Sequence, residues 1–421
     1  MRALSQENFG RARVHLRRGS AIVTPIMISA ADLYRSPNAL APEYSRFKVS
    51  ERLLLTGHSH QAWPDVAFEG QQRAFLEAAE LVDDKWPRAF AVADEVRRGW
   101  ARLLDDAPER IALGQSTHEL VVRFVSGLPL KKRPRLVTTD GEYHSTRRLV
   151  DRLEEEGIEI VKVAASPTAT QSERVAQAVD DRTAAVLVSS VLFRSAEIVP
   201  NLRVVAEACA RHGAEFLVDA YHHLNVVPFS IRELGLERAY VTGAGYKYVQ
   251  LGEGNAFLRF PADCALRPVV TGWFSEFALK EKAPERPVVY GEGPARFAGA
   301  TYDPTSNYRA ASVFEFFAKR GLTPALLREV SQHQVGLLIE RFDALDVDPK
   351  VIARDRSVAR GDIGGFLVLR SSRAGEICKK LHESGVYTDY RADVLRLGPA
   401  PYLSDAQIEE AVRRLGRAVT P

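Results

Sequence analysis

Between residues 110 and 243 the chain alternates short apolar runs with amphipathic stretches, and this rhythm constrains the fold more than any other feature. "RIALG" (110–114) precedes "STHELVVRFVSGL", "RLVTT" (135–139) precedes "YHSTRRLVDRLEEEG", and "IEIVKVA" precedes "SERVAQAVDD". "AAVLVSS" (184–190) precedes "NLRVVAEACARHG", "AEFLVDA" (214–220) runs into a histidine-bearing loop, and "AYVTG" (239–243) runs into "AGYKYVQLGEG". Strands alternating with helices at this spacing are the βαβ units of a mostly parallel sheet. Crossover helices cover both faces of such a sheet, so its strands are apolar nearly throughout. The expected class is α/β.

Outside that region the pattern changes. Helical periodicity covers about 65–82 and 89–105, and again about 305–320 and 323–346. After 262 comes a long excursion rich in Gly, Pro and aromatics. "GGFLVLRSS", "AGEICKKLHESG", "VYTDYR", "VLRLGPAP" and "SDAQIEEAVRRLG" then read as a small α+β unit, with Ser404 or Asp405 able to cap the last helix. A chain of 421 residues exceeds one ordinary core. We therefore expect a large domain over 31–300, including an N-terminal arm, and a small C-terminal domain over 301–421. Residues 1–30 are expected to be a disordered extension. Their basic-then-apolar order is loosely like a signal peptide, but Pro25 and the interleaved Thr and Ser argue against one.

Composition removes several function classes. Basic and acidic residues number 57 and 54, a net charge of +3, too slight and too evenly spread for a nucleic-acid partner. No apolar run approaches a membrane span. Cys209, Cys264 and Cys378 have neither metal-type spacing nor the even number of a disulfide framework, which fits a reducing cytoplasm. "ALGQSTHE" is not the glycine-rich loop of a nucleotide-binding protein.

Ligands of open α/β sheets bind at the carboxyl ends of strands. Three such ends carry unusual side chains: Asp219 after "AEFLV", Lys247 between Tyr246 and Tyr248, and Ser116 and Thr117 at a helix start. Pyridoxal phosphate requires these parts. A lysine amine must be neutral part of the time to form a Schiff base, and an enclosed aromatic site lowers its pKa. A carboxylate must face the pyridine nitrogen to keep the ring electron-accepting. A hydroxyl-bearing helix N-terminus suits the phosphate. Each feature alone is commonplace, as a turn Asp, a surface Lys or a plain N-cap; their joint occurrence at strand ends of one sheet carries the reading.

The stretch "FLVDAYHHLNVVPFSIRELGLERAYVTGAGYKYVQLGEGNAFLRF", with "TGWF", "ARFAGAT" and "DYRADVLRLGPAPYLSDAQIEEAV", resembles the fold-type I pyridoxal phosphate enzymes of the class V aminotransferase group, and kynureninase above all. The resemblance spans roughly 50–418. It implies a large domain with a mostly parallel, seven-stranded type of sheet, and Lys247 as the internal-aldimine lysine that also moves the substrate α-proton. Asp219 would pair with the pyridine nitrogen, and His222 would lie beside the ring. Ser116, Thr117 and Tyr246 would hold the phosphate. Tyr143, or its neighbour His144, would stack on the ring. Trp273 and Thr301 match positions that reach the site from the partner of a homodimer. Arg396 matches the arginine that forks onto the substrate α-carboxylate, a role suited to a planar guanidinium.

The chain departs from kynureninase in places. "TGHSHQAWP" replaces a "GNSLG"-like motif and puts His58 and His60 where the substrate pocket should border. The histidine expected between there and the phosphate loop is missing, and "FRSAE" (193–197) lacks the glycine of "YRTG". These changes leave the cofactor residues intact and touch the substrate side. The resemblance implies hydrolytic C–C cleavage or β-lyase chemistry on a free amino acid, with class V transamination as an alternative and a noncatalytic binding dimer as the reading from another class. Cysteine desulfurase chemistry would need a cysteine between Val386 and Arg396, and there is none.

Overall fold

The computed structural model describes residues 27–277, 279 and 287–420. The extension expected over 1–30 falls outside the described residues up to position 26. Ile28 and Ser29 already belong to the fold: the Ile28 amide donates to the Arg320 carbonyl, and Ser29 forms a capping box with Asp32.

Helix α1 (Ala30–Tyr34) and strand β1 (Leu53–Leu54) precede two long helices, α2 (Val66–Leu81) and α3 (Trp86–Leu104). The alternating region follows as β2 (Ile111–Gly114), α4 (Thr117–Ser126), β3 (Arg135–Thr139), α5 (His144–Glu155), β4 (Glu159–Val163), α6 (Gln171–Gln177), β5 (Thr183–Ser189), α7 (Leu202–His212), β6 (Glu215–Asp219), β7 (Tyr240–Ala244) and β8 (Ala256–Arg259). Then come α8 (Thr305–Arg320), α9 (Pro324–Asp343), β9 (Leu367–Arg370), α10 (Ala374–Glu383), β10 (Val386–Tyr387), β11 (Asp389–Arg391), β12 (Val394–Leu397) and α11 (Asp405–Val419).

The large sheet has seven strands in the order β2-β8-β7-β6-β5-β3-β4. All neighbours are parallel except β8, which runs antiparallel to both β2 and β7. Strands β5 and β7 are buried at every position, as crossover helices on both faces require. Helices α2 and α3 pack against α8. Trp100 fills the space between the sheet and α8, 4.5 Å from the Phe257 ring and 5.5 Å from Phe314. Gly99 permits that approach, since a Cβ there would sit 2.2 Å from the Phe314 ring.

The C-terminal part is built on the antiparallel sheet β11-β12-β9. It also takes in the N-terminal segment, because β1 pairs in parallel with β10, Leu53 opposite Val386. Ser404 caps α11 with Gln407 in a capping box.

Candidate active site

A cavity of about 270 Å³ lies where the carboxyl ends of β6 and β7 meet the N-termini of α4 and α5. It brings together Ser116, Thr117, Tyr143, Asp219, His222, Tyr246 and Lys247, residues scattered over more than a hundred positions of the chain. The register of β6 on β7 explains part of this: Asp219 pairs with Thr242, so one strand ends in the carboxylate and the next leads into the lysine.

Lys247 is buried. Its Nζ lies 2.9 Å from His222 Nε2 and stands over the rings of Tyr221, Tyr143 and Tyr246, at 4.1, 5.1 and 5.8 Å from their centroids. Burial pulls its pKa below the ordinary lysine value, against the opposing pull of Asp219. Burial also drives His222 well below its usual range, helped by the Lys247 and Arg396 charges, so its ring is neutral. Asp219 is half-buried on the cavity wall, and its partial burial pushes its pKa up, although the Tyr221 amide donates to Oδ1 at 2.9 Å.

At the other end of the cavity Ser116 is the extended N-cap of α4, its Oγ accepting from the Glu119 amide at 3.2 Å. The first amides of this ten-residue helix have no intrahelical acceptor, and Ser116 and Thr117 at its start line the cavity, an end suited to an anion. Gly254, at φ +81°, lines the same end, where a Cβ would lie 3.0 Å from Ser306 Cβ and 3.4 Å from the Gln115 side chain. A half-buried carboxylate, a buried amine and a glycine-lined helix N-terminus in one cavity fit a phosphorylated, cationic heteroaromatic aldehyde. Among the described residues no cluster of His, Cys, Asp and Glu could hold a metal ion.

Arg396 and His58 stand behind the cavity wall, next to the Phe366 ring. The Arg396 guanidinium carbon is 5.8 Å from that ring's centroid, His58 stacks on it at 4.7 Å, and His222 approaches it at 6.0 Å. Arg396 donates from Nε to Asp389 Oδ1 at 2.9 Å, from Nη2 to Asp389 Oδ2, and from Nη1 to the Phe193 carbonyl at 3.0 Å. His58 is wholly buried, and burial lowers its pKa to about 4. Its neutral ring donates from Nε2 to Asp389 Oδ1 at 2.7 Å, while Nδ1 has no hydrogen-bond partner among the described residues. His60, by contrast, is exposed, stacked on the cavity-lining Tyr246 with centroids 4.6 Å apart.

Trp273 and Thr301 do not line this cavity. They lie together, Trp273 Nε1 donating to Thr301 Oγ1 at 3.3 Å, with the Trp273 ring half exposed. Cys378 is buried on α10, its Sγ 3.6 Å from the Thr388 carbonyl, and burial pushes its pKa up to about 11. That is the state of a packing thiol rather than a nucleophile.

Sequence reasoning missed two acidic groups. Glu142 is fully buried beside Asp219 and accepts from Thr139 Oγ1 and Ser189 Oγ, both at 2.6 Å. Burial raises its pKa to about 7 against those hydrogen bonds. Asp389 holds Arg396. Burial pushes its carboxyl up, but His58 and the Arg396 charge outweigh that and hold it well below the usual carboxylate range. Both sit in short polar stretches, "TTDGEYHS" and "VYTDYR", whose partners come from distant strands.

Residues 327–415 match the family model of the kynureninase C-terminal domain. Among curated proteins, the kynureninase of Bacillus cereus (strain ATCC 10987 / NRS 248) is 24% identical over 323 residues, 74% of each chain. The uncharacterized aminotransferase YcbU of Bacillus subtilis (strain 168) is 23% identical over 335 residues, 78% of this chain and 84% of its own. Among solved structures, the cystine C–S lyase C-DES in complex with cysteine persulfide superposes with a TM-score of 0.78 at 18% identity, over 87% of this chain and 98% of its own. A cysteine desulfurase from Thermococcus onnurineus NA1 does so with a TM-score of 0.74 at 16% identity, over 88% and 95%. The fold is that of the fold-type I pyridoxal phosphate enzymes.

Proposed function

We propose that this chain, a kynureninase-like member of the class V aminotransferase group, is a pyridoxal phosphate enzyme that acts on a free α-amino acid. The observation that carries the reading is the buried Lys247 amine, in one cavity with the Asp219 carboxylate and the hydroxyl-capped N-terminus of α4. Asp219 would hold the pyridine nitrogen, Ser116, Thr117 and Tyr246 the phosphate, and His222 and Tyr143 the ring. Bound there, the cofactor supplies an electron sink conjugated to the substrate amine.

The chain's own residues supply the rest. Lys247 is the base at the substrate α-carbon, and its burial raises the neutral fraction able to take a proton. Arg396 takes the substrate α-carboxylate, which fixes the amino acid's orientation. The aromatic walls of Tyr143, Tyr221 and Tyr246 exclude water from the lysine. Kynureninase-like hydrolytic cleavage between Cβ and Cγ is the leading reaction, because the matched C-terminal domain carries Arg396 and Asp389. Transamination is the second reading, favoured by the similarity to YcbU at 23% identity, against 24% for the kynureninase. The active unit is a homodimer in which Trp273 and Thr301, set apart from Lys247 of their own chain, complete the partner's site.

Incubating the holoprotein with kynurenine, 3-hydroxykynurenine and a panel of amino acids separates these reactions. Alanine release marks C–C hydrolysis, pyruvate marks β-elimination, and a keto acid formed only with an acceptor marks transamination. Absence of all three across the panel counts against the proposal.

A further inference from the structure

The guanidinium proposed for the substrate carboxylate is already engaged by a carboxylate of its own chain. Asp389 meets it along the Nε and Nη2 edge with both oxygens, the pairing a substrate carboxylate would make. Phe193 takes Nη1, and the Arg396 side chain is only 3% exposed. Asp389, at 20% exposure, is the more open member of the pair, so an incoming anion meets a like charge first. A second guanidinium stands on the other side. Arg391 Nη1 is 3.4 Å from Asp389 Oδ2, and its side chain is 40% exposed. Asp389 and Arg391 flank one residue on β11, and Asp389 pairs in register with Arg396 on β12.

Charge counting gives this arrangement a direction. Arg391, Arg396 and Asp389 together carry one unpaired positive charge, and His58, neutral above about pH 4, adds none. One substrate carboxylate balances the set, with two anions on two guanidiniums. We propose that Asp389 is a positioning residue that occupies the carboxylate site until substrate arrives, then moves onto Arg391 and leaves Arg396 to the amino acid. Asp389 thereby sets how strongly the enzyme favours ligands that bear a carboxylate. The inference rests on the assignment of Arg396 to the substrate carboxylate.

The test compares L-alanine with ethylamine, the same amine without the carboxylate, as equilibrium ligands of the holoprotein, read by the shift in cofactor absorption and by calorimetry. Asp389→Asn removes the competing charge and should tighten alanine about tenfold, the equivalent of one charge-assisted hydrogen bond, with ethylamine unchanged. Arg391→Gln removes the alternative partner and should weaken alanine several-fold, again with ethylamine unchanged. Alanine binding that is unchanged or weaker in Asp389→Asn overturns the proposal. If that variant does not fold, Arg391→Gln decides alone, and an unchanged alanine affinity there overturns it. Arg396→Gln is the separate control. A preference for alanine over ethylamine that survives it contradicts the carboxylate role of Arg396 itself. A lost preference upholds that role, and the other two variants then decide the role of Asp389.

Discussion

The Nζ of Lys247 lies 2.9 Å from Nε2 of His222, two buried bases in direct contact inside one cavity. Neither nitrogen faces bulk water, so each sets the protonation of the other, and burial keeps His222 neutral. His222→Ala removes the aromatic face beside the lysine. Stacking of this kind is worth about 1 kcal/mol, so cofactor affinity should fall several-fold, read by titrating visible absorption with pyridoxal phosphate. An unchanged affinity would place the cofactor ring elsewhere.

Ser116 has two roles that a single substitution separates. As N-cap of α4 it contributes about 1 kcal/mol to the apoprotein, so Ser116→Ala should lower the urea midpoint. As a phosphate ligand it should also weaken pyridoxal phosphate more than pyridoxal, which lacks the phosphate. Equal weakening of the two ligands would limit Ser116 to the cap.

Glu142 makes stability depend on pH with a defined sign. Its folded pKa, about 7, lies above the ordinary 4.5, so its favourable contribution is complete below about pH 4.5 and is lost as pH rises through 7. Glu142→Gln stays neutral. The stability of this variant relative to the parent should therefore climb by about 3 kcal/mol between those limits, on top of any constant offset from altered bonds to Thr139 and Ser189. Urea denaturation of the apoproteins from pH 4.5 to 8 measures the difference; a flat difference would mean that Glu142 stays ionised.

The homodimer reading predicts complementation. Lys247→Ala and Trp273→Ala are each expected to be nearly inactive. In a refolded equimolar mixture, half the dimers pair the two chains and each of these holds one intact site, so about a quarter of the parental activity should return. No recovery would place Trp273 outside its partner's site.

How far the chain could be read in advance follows from what each residue depends on. The parallel strands are legible because each carries aliphatics in a short run set between helices, and β5 and β7 are buried at every position. Strand β8 is not legible, because the long lysine loop separates "AFLR" from β7 and its antiparallel pairing with β2 reaches back across the whole unit. The β1–β10 pairing joins Leu53 to Val386, which no local pattern signals. Lys247, Asp219 and Ser116 could be read because strand ends bring such residues together by topology. Glu142 and Asp389 could not, since their meaning lies in partners such as Ser189 and Arg396, brought in by other strands. His58 was expected at the pocket border; the structure buries it one layer back, behind Asp389 and Phe366.

Borohydride reduction of the holoprotein followed by peptide mass spectrometry tests the central claim most directly, because it fixes the cofactor to whichever amine holds it. The account predicts a phosphopyridoxyl group on Lys247 and on no other lysine, and no such adduct in Lys247→Ala. Labelling at another lysine, or none in protein saturated with pyridoxal phosphate, would contradict it.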